Sequence, residues 1–466
     1  MNRRSFIRGI AAAGAFPLLP GCFSAGKYAA NSKVRLAFCG IGQQGWYDIQ
    51  QFRLFPQLFD VVALCDTDME AEHTLECLKA YPDVPRFRDF RKMFDELGGG
   101  IDACLVAVPD HSHFPIAMEA MRRGVAVYVE KPLAHTFEEC ELMRAAAAKY
   151  GVVTQMGNQG HSTVKYHQFK EYVETGLIHD VYKVNVHMNN SRRWHKWEGK
   201  LTSFPKAEKL PATLDWDTWL GTASFHDYSR DFVGGEWRAW YDFGNGCMGD
   251  WGAHLLDCVH QFLLKGDLPS EIRVLSQNGS NKFVYPMNST LQFVFPENRL
   301  HDELTLNWYE GASNPPPLPA GFVYAVPDGI PKSSANDEAA ERRQKLFPGK
   351  EMYQRDGMIW QSLSHKHPLH VVGDYERKLP DYPPEFCTHY EGFLRAVRGE
   401  METLSPFEIA APLSQLFTLA CIAQRLGRSL KFDASTGGIT GDHEANALLK
   451  GSPGTPRKGW EEYYRV

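Results

Sequence analysis

Three glycines in a fixed spacing are the first residues of this chain that suggest chemistry. They lie in the string Val34-Arg-Leu-Ala-Phe-Cys-Gly40-Ile-Gly42-Gln-Gln-Gly45, between an apolar run and a helical pattern over residues 46–52. Gly40 permits a tight turn, Gly42 lets the backbone approach a phosphate, and Gly45 lets the helix pack close to the strand. Free N–H groups at the helix start favour an anion. The pattern predicts a dinucleotide-binding turn that consists of Gly40, Gly42, Gln43, Gln44 and Gly45.

Asp66 indicates which dinucleotide binds. It ends a second apolar run, Val61-Val-Ala-Leu-Cys-Asp66, in the part of the motif where a carboxylate is expected. A carboxylate at this strand tip accepts the hydroxyls of an adenosine ribose and repels a 2′-phosphate. We therefore expect NAD rather than NADP. Asp68 is a competitor for the same role, and an ordinary loop aspartate is the alternative interpretation.

Three more polar clusters follow in the sequence. Two of them, Ala107-Val-Pro109-Asp110-His111-Ser-His113 and Val125-Ala-Val-Tyr-Val-Glu130-Lys131-Pro132, come at the ends of apolar strands, where ligands bind in open α/β sheets. The third is Gly246-Cys-Met-Gly249-Asp250-Trp-Gly-Ala-His254-Leu-Leu-Asp257. On a helix, Asp250 and His254 would share one face because they are four residues apart. A lysine at a strand end is usually only a solvated charge, so the combination indicates a site.

Together these motifs resemble the Gfo/Idh/MocA family of sugar and cyclitol oxidoreductases, over nearly the whole chain after its N-terminal leader. The segment Thr154-Gln-Met-Gly-Asn158-Gln-Gly160 and the carboxyl-terminal helices share the resemblance. In the family, the Glu-Lys-Pro lysine stands beside the nicotinamide and an Asp-x-x-x-His pair, which implies catalytic roles for Lys131, Asp250 and His254. The resemblance implies cofactor contacts for Pro109, Asp110, His113, Glu130, Lys131 and Asn158. The family more often has Asn where this chain has Asp110.

Hydride removal from a carbinol carbon requires the hydroxyl proton to leave as well, and two residues could accept it. His254 is one, since an unperturbed imidazole titrates near neutral pH; Lys131 would then hold the alkoxide and Asp250 would orient the imidazole. In the alternative, a desolvated Lys131 is the acid/base and His254 orients the sugar. The sequence leaves both open, and Asp257 is expected to be structural. No metal is expected, because no spaced set of ligands accompanies His111 and His113.

Tryptophans surround the Asp250 motif, and their flat rings can stack on sugar faces. We expect Trp237 and Arg238, which directly precede the motif, to contact the substrate, together with His195. The alternative is that most of these rings are core or interface anchors. The set comprises Trp194, Trp197, Trp216, Trp219, Trp237, Trp240 and Trp251.

The elements that must position these residues fall into two domains. Apolar strands near 34–39, 60–65, 103–107, 126–130 and 152–155 alternate with helical patterns near 45–54, 69–80, 114–123 and 136–150. The alternation predicts a Rossmann domain over 33–157, with a doubly wound parallel sheet. Residues 158–466 contain successive strand patterns at 181–188, 271–275, 290–295 and 303–308. They predict an α+β domain with an open, mainly antiparallel sheet.

Two other stretches of the second domain have distinct compositions. The proline-rich residues 311–355 are interpreted as an insertion near the substrate. The alternative is a loop that is solvated or contacts another subunit. Helical patterns over 387–397 and 407–426 then close the fold. An open sheet of this kind would otherwise expose an apolar patch, so we expect a homodimer or homotetramer.

Residues 1–32 resemble an export signal. Arg3-Arg4 precede an apolar stretch that is too short to span a bilayer, as in the twin-arginine signals of proteins exported after folding. Leu19-Pro-Gly-Cys22 resembles a lipobox, which predicts lipidation of Cys22, attachment to a bacterial membrane and a periplasmic location. Plain cleavage, retention and a disordered basic leader are the alternatives. The other cysteines, including Cys39, Cys65 and Cys104 in strand-like runs, are interpreted as core thiols.

A net charge of −6 gives no support for nucleic-acid binding and favours a small or neutral partner. The family resemblance implies that this partner is a small carbohydrate. An exported enzyme must retain its NAD, so we expect a sugar oxidoreductase that recycles a tightly held cofactor. One alternative is an NAD-dependent glycoside hydrolase that oxidises C3 transiently and eliminates the aglycone, with His187 or His195 as an additional base. The others are a dehydrogenase served by an external acceptor and a non-catalytic sugar-binding protein.

Overall fold

The computed structural model describes residues 32–188, 201–279, 281–312, 314–322, 348–363, 368–383 and 387–466. The leader with Arg3, Arg4 and Cys22 lies outside the described residues, as do His195 and most of 311–355. Export, lipidation and the role of His195 therefore stay predictions.

The first sheet is a parallel Rossmann sheet of six strands, in the order β3-β2-β1-β4-β5-β6. Both faces of its central strands are buried, which explains why the sequence shows continuous apolar runs rather than alternation. This confirms the predicted doubly wound domain. The strands are β1 Val34–Cys39, β2 Phe59–Cys65, β3 Arg86–Phe87, β4 Ala103–Val106, β5 Ala126–Val129 and β6 Thr154–Met156.

The helices of this domain are α1 Gln44–Phe52, α2 Leu75–Ala80, α3 Phe90–Leu97, α4 Asp110–Arg122 and α5 Phe137–Tyr150. Three of them differ from the sequence prediction, and one of these, α3, is not predicted by the sequence pattern at all. The helix predicted over 69–80 is interrupted, with a 3-10 turn at Glu72–Thr74 before α2. Helix α4 begins at Asp110 rather than 114, because Pro115 is accommodated inside the helix instead of marking its start.

The second sheet has nine strands in the order β13-β12-β11-β7-β10-β9-β8-β14-β15. Within this second sheet, as far as the structure describes it, only the β7–β10 pair is parallel, which confirms the mainly antiparallel prediction. The strands are β7 Val181–Met188, β8 Glu271–Asn278, β9 Asn288–Phe295, β10 Leu304–Glu310, β11 Gly349–Gln354, β12 Ile359–Leu363, β13 Leu369–Val371, β14 Leu430–Asp433 and β15 Gly438–Ile439.

Strand β11 corrects the prediction that residues 311–355 form a loop-like insertion throughout. It lies inside the sheet, between β12 and β7, and every residue of it is buried. The sequence pattern does not predict this strand, because the residues Gly-Lys-Glu-Met-Tyr-Gln do not alternate between apolar and polar and follow a polar stretch. Lys350 and Glu351 are buried charged side chains in this strand.

The helices of the second part are α6 Val164–Glu174, α7 Trp216–Leu220, α8 Gly246–Leu255, α9 His389–Val397, α10 Phe407–Leu426 and α11 His443–Leu448. Helix α10 packs against α5, α8 and β8 and joins the two sheets through one core. It is long and apolar enough to cross a membrane, but 83% of its most apolar window is buried, as expected of a core helix.

Two glycines bring α8 into close contact with its neighbours. A Cβ at Gly252 would lie 2.6 Å from the Phe417 ring of α10, and one at Gly249 would lie 3.2 Å from Pro132. The helix that carries Asp250 is thereby held directly against the Lys131-Pro132 tip of β5.

The cysteines of the described residues are all free thiols. Cys39, Cys65 and Cys104 are buried in adjacent strands of the Rossmann sheet, as predicted for core residues. The Sγ atoms of Cys39 and Cys104 lie 3.7 Å apart, well beyond the length of a disulfide bond.

Candidate active site

A cleft of about 480 Å³ runs along the carboxyl edge of the Rossmann sheet and is closed on its far side by the second domain. It brings together the glycine turn, the tips of β2, β4 and β5, and helix α8. The sequence-predicted residues that line it are Gly40, Gly42, Gln43, Gln44, Asp66, Pro109, Asp110, His113, Glu130, Lys131, Trp237, Arg238 and Asp250.

The glycine turn has the geometry that its spacing predicts. Gly40 has φ +82°, and a Cβ there would lie 2.2 Å from the carbonyl oxygen of Ala107. A Cβ on Gly45 would lie 2.1 Å from the Gly40 oxygen, so this glycine lets α1 pack closely. A Cβ on Gly42 would lie 2.3 Å from Cδ2 of His73, an imidazole that the sequence analysis did not single out. Only glycine fits at these three positions without displacing backbone or side-chain atoms.

Asp66 lies at the β2 tip, beside the glycine turn. Its carboxylate accepts hydrogen bonds from the backbone N–H groups of Ile41 and Asp68, each at 3.2 Å. The competitor Asp68 instead accepts from the Thr213 hydroxyl at 3.1 Å. Asp66 is therefore the carboxylate that lies next to the phosphate-binding turn.

A segment from the second domain closes the end of the cleft near Asp66. Besides the Thr213–Asp68 hydrogen bond, the backbone N–H of Asp215 donates to the Thr67 oxygen at 2.8 Å. Residues 211–215, which we call the strap, thus bind the loop that follows β2. Pro211 and Leu214 of the strap line the cleft directly.

The β4 tip contributes two buried polar groups. Asp110 accepts a hydrogen bond from the Asn245 N–H at 2.9 Å, and burial raises the pKa of its carboxyl to about 7, although Arg238 opposes the shift. His113 places its ring nitrogens 2.8 and 2.9 Å from the carbonyl oxygens of Pro132 and Val108. It ties the tips of β4 and β5 together, and burial lowers its pKa to about 4.

Glu130 is held in place by a polar cluster that extends to α1. Its carboxylate accepts from Gln159 Nε2 at 2.7 Å and from the Lys131 N–H at 3.3 Å. Asp48 of α1 is buried close to it and accepts from the Tyr390 hydroxyl at 2.8 Å. Burial raises the pKa of both carboxyls, that of Glu130 to about 7. This second acid was not found from sequence, since a lone aspartate in a helix gives no signal.

Lys131 and Asp250 meet in the wall of the cleft. The ammonium group of Lys131 donates to the carboxylate of Asp250 and to its backbone carbonyl oxygen, at 3.1 Å each. Arg238 adds a second cation, with Nε 3.6 Å from the same carboxylate, and its guanidinium lies over the Trp237 ring at 4.0 Å. Four residues predicted for catalysis or substrate binding thus form one cluster.

His254 lies one turn further along α8 and lines a separate cavity of about 20 Å³, together with Asp257, Lys350 and Tyr166. Its ring is 5.7 Å from that of Trp251. Of the three residues predicted for catalysis, Lys131 and Asp250 therefore line the cofactor cleft, whereas His254 lines the smaller cavity.

Asn158 is fully buried, and its amide donates to Asp257 at 2.9 Å. Asp257 also lies 3.0 Å from Nδ1 of His161, which agrees with the structural role expected for it. The structure places Asn158 behind the strand tips rather than in the lining of the cleft.

The other aromatic residues near the site are mostly core. Trp216, Trp219, Trp237 and Trp240 belong to one buried hydrophobic cluster, as the alternative interpretation held, and two of them, Trp219 and Trp237, also line the cleft. His187 pairs with Glu351 at 2.9 Å in the interior. Neither His111 nor His113 has a metal-like setting, and no three potential ligands gather in the described parts of the chain.

Two family models match the chain. The model for the NAD-binding Rossmann fold of the oxidoreductase family matches residues 34–158, and the model for its C-terminal alpha/beta domain matches residues 162–286. The chain belongs to the Gfo/Idh/MocA oxidoreductase family. The matched ranges contain the glycine turn, the Glu-Lys-Pro tip and the Asp250 helix.

Solved structures share the fold at low sequence identity. The WlbA dehydrogenase from Bordetella pertussis, in complex with NADH and UDP-GlcNAcA, is 15% identical with a TM-score of 0.59, covering 86% of this chain and 99% of that one. An aldose-aldose oxidoreductase from Caulobacter crescentus, complexed with glycerol, is 15% identical with a TM-score of 0.53, covering 86% and 100%.

Curated relatives match a shorter part. An alpha-N-acetylgalactosaminidase from Shewanella oneidensis and a glycosyl hydrolase family 109 protein from Shewanella sp. strain ANA-3 are each 32% identical over 114 residues. These matches cover 23% of this chain and 24% of each relative, so about a quarter of either protein is compared.

The cleft fits the NAD that this family binds. Gly40 and Gly42 line the space beside the turn, where Cβ atoms would collide with the neighbouring chain, and Asp66 would provide the carboxylate for the adenosine ribose. The turn would hold the pyrophosphate, while Glu130, Lys131 and His113 line the opposite end.

Proposed function

We propose that this chain oxidises a hydroxyl-bearing carbon of a sugar or sugar derivative to a carbonyl, and reduces a carbonyl carbon in the reverse direction, by hydride transfer with NAD as a tightly held cofactor. The observation that carries the proposal is the Lys131–Asp250 ion pair at 3.1 Å, in the wall of the NAD cleft with Arg238 beside it. A positive group next to a carboxylate suits a hydroxyl oxygen that gains charge as its proton leaves.

When bound, NAD supplies the acceptor or donor of hydride. Lys131 would donate a hydrogen bond to the reacting oxygen and stabilise it while the hydroxyl proton passes to the Lys131–Asp250 pair. Arg238 would bind a neighbouring hydroxyl, and the Trp237 ring would carry the apolar face of the sugar. Because His254 lines another cavity, we assign the proton step to Lys131 and Asp250 and a positioning role to His254.

Tight cofactor binding follows from the proposed export. With association at about 10⁶ M⁻¹s⁻¹, retention for hours needs a dissociation rate near 10⁻⁴ s⁻¹ and hence a Kd of about 10⁻¹⁰ M. The enzyme would then return its cofactor to the starting state in each cycle. Mass spectrometry of the supernatant from denatured protein tests retention, and purified protein without nucleotide would contradict it.

Replacement of Lys131 tests the catalytic assignment. We expect Lys131→Met to lower kcat about 10³-fold, because the reacting oxygen loses its charged partner. The exposed Lys79→Met is the matched control and should keep wild-type turnover. Unchanged turnover in Lys131→Met, measured on a panel of free sugars with an aldehyde or ketone acceptor, would remove the assignment.

Glycoside hydrolysis through transient oxidation is the second candidate, favoured by the relatives with 32% identity that are named as glycosidases. Incubation with aryl glycosides, without added NAD, distinguishes the two. Released aglycone supports hydrolysis, whereas a keto sugar that forms only with an acceptor supports oxidoreduction. The elimination step needs a base near C2, and His187, paired with Glu351, does not line the cleft among the described residues.

A further inference from the structure

His73 is a cleft residue to which neither the glycine motif nor the proposed catalysis assigns a role. It lies in the short 3-10 turn Glu72–Thr74 after β2, and its ring rests on Gly42. A Cβ on Gly42 would contact both Cδ2 of the ring, at 2.3 Å, and the His73 carbonyl oxygen, at 2.7 Å. The imidazole therefore lies against the backbone that faces the pyrophosphate.

The surroundings of His73 favour its cationic form. Its Nε2 is 3.5 Å from Oδ1 of Asp66, and this carboxylate raises the pKa of the imidazole; Asp68 acts in the same direction. Arg88 also lines the cleft, but its guanidinium binds Glu70 at 3.0 Å. The phosphate-binding turn itself contributes only uncharged side chains, Gln43 and Gln44.

The pyrophosphate of a bound dinucleotide would be repelled by the carboxylate of Asp66. The Asp66 carboxylate that binds the ribose also accepts from the Ile41 N–H inside the turn, so it lies close to where the pyrophosphate charges belong. A cation between the carboxylate and the phosphates would offset this repulsion. The side chain of His73 contacts both Asp66 and Gly42.

We propose that His73, as an imidazolium, binds the pyrophosphate of the dinucleotide from the side opposite the backbone amides and so slows its release. The inference rests on nucleotide binding alone, so it does not depend on which substrate the site takes. Retention of the nucleotide should then decrease as the pH rises through the pKa of His73 in the complex.

The test measures release of NADH from loaded full-length protein at pH 5.5 and pH 8.5. The loaded protein is diluted into excess NAD, which is not fluorescent, and the decrease in the fluorescence of bound NADH is followed. We expect wild-type release to be about tenfold slower at the lower pH, because a charge-assisted hydrogen bond to phosphate is lost at the higher one. His73→Gln should release NADH about tenfold faster than wild type at pH 5.5 and at the wild-type rate at pH 8.5, because the titration of Asp110 and Glu130, which also line the cleft, affects both proteins alike. The exposed His443→Gln is the matched control and should behave as wild type.

The side chain of His73 is 39% exposed, so substitution is expected to leave the fold intact, and a thermal melt of each variant checks this. Wild-type rates and pH dependence in His73→Gln would overturn the proposal. So would wild-type protein that binds no NADH. Loss of sugar turnover alone would count against the proposed function and not against this role of His73.

Discussion

Asp110 is a carboxyl group at the base of the cleft, where burial raises its pKa to about 7. In its protonated form it presents an O–H donor, much as an asparagine at this position would present an N–H donor. The aspartate can therefore replace asparagine below about neutral pH, and above it the site contains a buried negative charge near Lys131 and Arg238.

Asp110→Asn should change how stability depends on pH. Between the unfolded-state pKa of about 3.9 and the folded-state pKa of about 7, the native protein binds a proton at Asp110 that the unfolded chain has lost. The unfolding free energy of wild type should thus fall relative to Asp110→Asn as pH rises, by about 1.4 kcal/mol per pH unit in that window. Urea unfolding at several pH values measures the difference.

The control for this experiment is Asp60→Asn, whose carboxyl group is largely exposed and pairs with Lys33 at the surface. It should show no comparable slope. A difference between Asp110→Asn and wild type that stays constant over the whole range would contradict the assigned pKa.

The motif spacing predicted Gly40 and Asp66, and the family resemblance implied catalytic roles for Lys131 and Asp250; the structure places all four in the lining of one cleft. The sequence could not anticipate Asp48, whose partner Tyr390 is 342 residues away in the chain. Nor could it choose between Lys131 and His254, since sharing a helix face with Asp250 does not tell which cavity the imidazole borders.

At the scale of elements, the contact between β1 and α1 depends on Gly45. Gly45→Ala should destabilise the protein by about 1–3 kcal/mol and weaken NAD binding, because its Cβ would lie 2.1 Å from a backbone oxygen that cannot move aside. Gly99→Ala, where a Cβ meets nothing within 4 Å, is the control. Thermal unfolding and NADH titration measure both effects, and equal values for the two variants would refute the packing argument.

Elements with strong apolar patterns were predicted from sequence, and weak ones were not. The buried strands β1, β4 and β5 and the helix α10 follow directly from their apolar runs. Strand β3 has only two residues, and β11 begins Gly-Lys-Glu, so neither produces a periodic signal. Their places in the sheets are determined by neighbouring strands rather than by their own side chains.

At the scale of the whole molecule, the strap connects the second domain to the nucleotide end of the first. Thr213→Val should accelerate NADH release about fivefold, because it removes the hydrogen bond to Asp68 while keeping the side-chain shape. Thr175→Val is the control, since Thr175 directly follows α6 and its hydroxyl donates to the Glu171 oxygen of that helix. Identical release rates in the two variants would show that the strap does not limit exchange.

The free thiols in the Rossmann sheet have a consequence for the lifetime of the protein. Cys39, Cys65 and Cys104 are buried in the native state, so an oxidising medium would leave these three thiols unchanged in the folded chain. Once unfolded there, the same cysteines would be free to form non-native disulfides, which would block refolding. Under oxidising conditions a molecule that unfolds would not refold. The lifetime of the protein would then depend on its unfolding rate rather than on the equilibrium between folded and unfolded states.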